Sequence, residues 1–176
     1  MNFYGRRFNL YLLLAALALA PGCALFKQPD KGVAILRIHV ESAGGTPNDS
    51  KNISVMRTEP VTVNIATEPI LTEVDVATAA LLETPGGFSV QVKFDEFSGW
   101  TLEQYTAANP GKHLAIFGQW GDQPADGRWL AAPAINRLIA NGTLTFTPDA
   151  SHEEAEQLVK GLNLAAKKAA AKKSKQ

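Results

Sequence analysis

Residues 88–94, FSVQVKF, alternate without a break: Phe88, Val90, Val92 and Phe94 against Ser89, Gln91 and Lys93. Successive strand side chains point to opposite faces, so this stretch makes a strand with one apolar and one wet face. A one-sided strand has to be covered, and that need constrains the fold more than any other feature of the chain. The alternation recurs in VAILRIHVES (33–42), where Ala34, Leu36, Ile38 and Val40 face one way and Arg37, His39 and Glu41 the other. ISVMRTEPVTVNIA (53–66) is again strand-like, with Pro60 bending it or confining it to an edge. HLAIFGQW and RWLAAPAI read as two strands joined by the turn formers of GDQPADG, and Asn141-Gly142 turns into a last strand, TLTFT.

Between these runs the period changes to that of a helix. In LTEVDVATAALLET (71–84), Thr72 and Asp75 stand in a capping relation and Val74, Ala77 and Leu81 share a face. Thr101 and Gln104 read as the capping box of TLEQYTAAN, stapled by Trp100 and Tyr105 and stopped by Asn109-Pro110-Gly111. Ser151 and Glu154 cap a final helix with Ala155, Leu158, Val159 and Leu162 on one side. The expectation is an α+β fold: a mostly antiparallel sheet with two or three helices packed on one face, a two-layer sandwich.

The N-terminus sets location. Arg6 and Arg7 precede an apolar run, Leu10 to Ala20, that Pro21-Gly22 ends after eleven residues. A membrane span needs about 20 apolar residues, so the run is too short and reads as a secretory signal. Ala20-Pro21-Gly22-Cys23 resembles a bacterial lipobox, although Ala20 stands where leucine is usual. The expectation is cleavage after Gly22 and lipid attachment at Cys23, with a plain cleaved signal or an uncleaved anchor as alternatives. Asn9 interrupts the apolar positions a twin-arginine signal would need, which favours general secretion. Ala24 lacks the aspartate that retains some lipoproteins at the inner membrane, so the outer membrane is favoured. The division expected is 1–22 signal peptide, 23–32 lipidated tether, 33–166 one α+β domain and 167–176 basic tail.

The formal charge of zero hides an asymmetry. Without residues 1–22 the chain carries 15 basic and 17 acidic side chains, and five of the basic ones are lysines within 167–176. An acidic body argues against nucleic acid as a partner. The lysine tail suits the negative end of a helix dipole, and it would also suit an anionic envelope surface. With Cys23 as the sole cysteine, no disulfide framework is available and folding rests on packing.

No catalytic constellation stands out. His39, His113 and His152 lie far apart without metal-ligand spacing, and no Gly-x-Ser-x-Gly or phosphate-cradling loop occurs. Asp122 and Asp126-Gly127 fit a turn better than a calcium loop. The expectation is therefore no catalytic residues, no metal, no cofactor and no enzyme activity. Trp120 and Trp129 flank GDQPADGR at the end of the expected hairpin. They either pack on each other across the strands or, if exposed, form a rigid apolar anchor for polypeptide or lipid.

The order of segments resembles the head of the first periplasmic domain of SecD, an accessory subunit of bacterial protein export. The resemblance rests on EPILT (68–72), on Thr106 with Asn109-Pro110-Gly111-Lys112, and on Leu114-Ala115-Ile116. It continues through Ala132-Pro133, Ile139 to Gly142, and Glu154-Ala155 ahead of Leu158 and Leu162. It covers roughly residues 68–165, and 33–66 fit it only loosely. The connection carrying the two tryptophans is longer than the family's tight turn, and no segment after the leader matches the family's transmembrane helices. What the resemblance implies is a detached head: a lipid-anchored periplasmic module contacting exported or translocating polypeptide, with Trp120 and Trp129 as candidate contacts on their own aromatic chemistry. Its expected partners are the membrane, unfolded polypeptide and export-machinery subunits. The alternative is a structural adaptor lipoprotein that keeps the fold without a role in secretion.

Overall fold

A computed structural model of the chain describes residues 32, 34–42, 49–121 and 123–173. Cys23, the leader and the tether lie outside the described residues, as do Asp122 and the last three residues of the tail. The strands are β1 (Ile35–Val40), β2 (Ser50–Val55), β3 (Val61–Ala66), β4 (Leu71–Thr72), β5 (Val76–Thr84), β6 (Gly87–Phe94), β7 (Leu114–Gln119), β8 (Gly127–Ala131) and β9 (Thr143–Phe146). The two α-helices are α1 (Glu96–Ala108) and α2 (His152–Lys173). All strand pairings are antiparallel, in sheets ordered β4-β1-β7-β8, β2-β3 and β5-β6-β9.

The larger core joins the inner face of the four-stranded sheet (Leu36, Ile38, Leu114, Ile116, Leu130) to β6 and β9 (Val90, Val92, Leu144, Phe146) and to both helices. Leu158, Val159 and Leu162 of α2 and Leu102 of α1 belong to it. The β2-β3 hairpin covers the other face of the four-stranded sheet, with Ile53, Val55, Val63 and Ile65 meeting Ala115. This is the expected α+β architecture, with antiparallel sheets and two helices.

Three expectations are corrected. Residues 71–84 do not form a helix: they form β4, a single 3-10 turn (Glu73–Asp75) and the strand β5. The β-branched Thr72, Val74, Val76 and Thr78 favour a strand, and Pro85-Gly86 is the loop of a β5-β6 hairpin pairing Thr84 with Gly87. The Thr72–Asp75 relation survives locally, since the Asp75 carboxylate accepts from the Thr72 N–H at 2.7 Å. Residues 53–66 are two strands, because the chain reverses between Val55 and Val61 with Met56 at φ 68°. Helix α1 starts five residues before Thr101, capped by Asp95, whose side chain accepts from the Ser98 N–H at 2.9 Å. Trp100 and Tyr105 are therefore exposed and form no staple.

The last helix follows its sequence signals closely. The Ser151 N–H donates to Glu154 Oε2 at 2.7 Å, and the Glu154 N–H donates back to Ser151 Oγ at 3.2 Å. The basic segment continues the same helix as far as Lys173.

Candidate functional site

A groove of about 750 Å³ opens between the three-stranded sheet and the irregular segment after β8. Gln91, Leu114, residues Pro133 to Asn141 and Thr143 to Thr145 line it. The expected strand RWLAAPAI ends at Ala131, since Pro133 has no N–H to give a ladder. The chain instead runs past the start of β7, with the Leu114 N–H donating to Pro133 O at 3.0 Å and the Ile135 N–H to Lys112 O at 2.7 Å. After Ile135 the backbone leaves the sheet, and the Ile139 N–H is taken by Thr106 Oγ1 at 3.1 Å. Leu138 is left 49% exposed on the groove wall.

The groove lining contains one ionisable side chain, Arg137, and no carboxylate, histidine or serine. The rest of the lining is apolar side chains, the amides of Gln91, Asn136 and Asn141, and the hydroxyls of Thr143 and Thr145.

The histidines occupy three separate places. His39 lies on the outer face of β1 as its alternation implies, yet it is only 3% exposed because the β2-β3 hairpin covers that face. Its Nδ1–H donates to Ala66 O at 2.9 Å. Burial pushes its pKa below the usual value, against the opposing effect of the Ala66 bond. His113 Nδ1 is 2.7 Å from Glu41 Oε2, an interaction that lowers the glutamate's pKa. His152, exposed beside the Phe88 ring, pairs with Glu83 at 2.9 Å, which raises its pKa. Among the described residues no three His, Cys, Asp or Glu converge as a metal site. The Asp126 carboxylate accepts from the Gln123 N–H at 2.9 Å, a turn-stabilising role.

Trp120 follows the last residue of β7, whereas Trp129 lies within β8 opposite Phe117, and the two rings are on opposite faces of the sheet. Trp129 packs with the β2-β3 hairpin cluster, edge-on to His39 at 5.3 Å and to Phe117 at 5.5 Å. Trp120 packs against the larger core beneath the Arg128 guanidinium, 4.7 Å from its ring centre. Both rings are partly buried, and the expected packing of one on the other does not occur. Arg128 also donates to Asp149 O at 2.9 Å and pairs with Glu154 at 2.5 Å, tying β8 to the start of α2. Asp149 in turn holds Arg57 through its backbone N–H at 2.8 Å and its guanidinium at 3.2 Å. Burial would raise the pKa of Asp149, and these arginine bonds outweigh it and lower the value.

Sequence reasoning missed the groove residues Arg137, Leu138 and Ile139, and the exposed aromatics Phe97 (75%) and Trp100 (57%) on α1. The usable signal was Pro133 inside an apolar stretch without period, which marks backbone that leaves a ladder and exposes side chains.

The architecture defines a small antiparallel α+β module with a groove along a sheet edge. Residues 50–166 match the family model of the SecDF P1 head subdomain, and the chain belongs to that family. The match takes in the whole β2-β3 hairpin, beyond the segment from residue 68 on which the resemblance rests. Two solved structures are similar in fold. One, of the membrane component SecDF that enhances protein export, is 22% identical with a TM-score of 0.53, covering 75% of this chain and 63% of that one. The other, a crystal structure of SecDF in a super-membrane-facing form, is 22% identical with a TM-score of 0.54, covering 74% of this chain and 18% of that one. This chain thus spans under two thirds of the first and under a fifth of the second. Comparison with curated proteins gives no match. Among the described residues no helix is long and apolar enough to cross a membrane.

Proposed function

We propose that this chain is a non-enzymatic head domain, lipid-anchored through Cys23 and facing the periplasm, that contacts exported or translocating polypeptide as an accessory to protein export. The observation that carries the reading is the groove of about 750 Å³ beside β9, in a domain of the SecDF P1 head family. Its lining offers apolar side chains and a single charge, which suits segments of varied sequence. The role of the similar SecDF, enhancing protein export, supports the same direction. Trp120 and Trp129 are proposed as secondary contacts through the exposed parts of their rings. The membrane partner is engaged by the acyl chain, and the outer membrane is favoured on the sequence after Cys23.

The test is photocrosslinking in cells from position 138, with 120 and 129 as comparison positions. Capture of many unrelated secreted chains or of export subunits from position 138 is the expected result. Capture of one envelope protein, or of lipid alone, would assign the domain to a structural adaptor role instead.

A further inference from the structure

The phase of the β6-β9 ladder shows which backbone groups face the groove. The Phe94 N–H donates to Gly142 O at 2.9 Å, which makes that pair a hydrogen-bonded one. Two residues on, Val92 with Leu144 and Val90 with Phe146 have the same character. Leu144 and Phe146 therefore turn their peptide groups toward β6, and Thr143 and Thr145 turn theirs away from it. The Thr143 N–H is taken by Asn141 Oδ1 at 3.1 Å. Among the described residues nothing bonds the N–H or the carbonyl of Thr145, which is exposed on the groove.

The opposite edge of the same sheet is treated differently. On β5 the Ala79 N–H donates to Asn163 Oδ1 at 2.9 Å, and its carbonyl accepts from Asn163 Nδ2 at 2.8 Å. Helix α2 thus caps that edge with a side-chain amide. In the four-stranded sheet, the Leu130 carbonyl of β8 takes the Asp149 N–H at 2.7 Å. On β9 the Thr143 N–H is covered by Asn141, and among the described residues the Thr145 backbone has no such cover. The residues of β9, TLTF, include none of the charges or prolines that usually guard an open edge.

We propose that β9 is a docking edge, to which an extended polypeptide segment carrying a carboxylate adds as a fourth strand of the β5-β6-β9 sheet. The guest strand bonds the free backbone of Thr145 and the Thr143 carbonyl, which gives affinity independent of its sequence. Its alternate side chains lie toward the apolar lining of Leu114, Ile135 and Leu144. Arg137 selects the charge: it is exposed on the groove and forms no ion pair among the described residues. A carboxylate on the guest complements it. A second copy of this chain is the poorer occupant, because TLTF offers Arg137 no acid. The inference rests on the polypeptide-binding reading and specifies how the polypeptide is held.

The test uses the full chain in mild detergent and a fluorescent peptide of eight residues alternating valine with threonine and aspartate. Two analogues are N-methylated on the valines or on the intervening residues, so that one of them blocks the edge facing β9. Binding of the parent peptide with loss for one analogue only is expected. Thr145→Pro, which deletes an outward N–H and no native ladder bond, should weaken binding about tenfold, the scale of one well-placed hydrogen bond. Arg137→Glu should weaken the aspartate peptide and spare one with asparagine in its place. Binding that ignores both N-methylation and Thr145→Pro overturns strand addition and leaves the polypeptide-binding reading standing. Absence of binding by any peptide overturns both. Self-association of the wild-type chain that Thr145→Pro abolishes gives the edge to a second copy and overturns the proposal.

Discussion

Replacing Gly161 with alanine sets two opposing effects against each other. Gly161 lies in α2 where the helix crosses the start of β1. A Cβ there would stand 2.7 Å from both Ala34 Cβ and Ala34 N, and 2.9 Å from Gly32 O. In an open helix the change would stabilise by about 1 kcal/mol, because glycine is the poorer helix former. Here two of the three contacted atoms are backbone, which cannot rotate away, and carbon atoms in contact sit at about 3.5–4.0 Å. Overpacking costs about 1–3 kcal/mol, and contacts this short against backbone put the cost at the upper end, about 2–3 kcal/mol, so the net expectation is a loss of about 1–2 kcal/mol. For a chain of this size that lowers the Tm by about 2–8 °C, followed by circular dichroism at fixed pH. Adding Ala34→Gly removes the Cβ contact but not the contact with the backbone nitrogen, so it should restore only part of the loss. Should Gly161→Ala be as stable as the parent or more so, the close crossing of α2 over β1 would be refuted.

Other perturbations have equally definite signs. His39 has a pKa held below 6.5 by burial, so the unfolded chain binds its proton first as the pH falls. Its contribution to stability is full above about pH 6.5 and declines below it until the folded value is reached. His152 works the other way, since its Glu83 partner raises its pKa and the stability it adds is lost as pH rises through that value. The difference between wild type and His39→Gln in urea melts from pH 7.5 to 5 should therefore grow in favour of the variant on acidification, and a constant difference would contradict the burial. Asn163→Ala leaves the N–H and carbonyl of Ala79 without their partner, at a cost of about 2–4 kcal/mol in chemical denaturation. Leu138→Glu should leave the Tm unchanged, as the side chain is exposed, while weakening capture of unfolded polypeptide.

Much of this fold is legible in the residues because several elements carry local signals that agree with their tertiary place. The alternation of FSVQVKF became β6, and the Ser151–Glu154 box became the start of α2. The misreading of 71–84 has a definite cause. Val74, Ala77 and Leu81 fit a helical face, but the nine-residue β5 has a full-length partner in β6, and pairing outweighs so weak a local preference. The alternation puts His39 opposite the apolar face of β1, and its burial is invisible there because the hairpin that covers it comes from another part of the chain. The groove was less visible still. It is made where Pro133 ends a ladder and the free edge of β9 faces the segment that follows, and neither stretch carries a charge pattern or motif of its own.

The most direct measurement is hydrogen exchange of the full chain, followed by mass spectrometry, with and without a reduced, carboxymethylated unfolded protein. Contact in the groove predicts slowed exchange in residues 133–146, centred on the Thr145 amide, and no change at Ala79, which Asn163 already covers. Unchanged exchange throughout, or slowing confined to residues remote from the groove, would contradict the account.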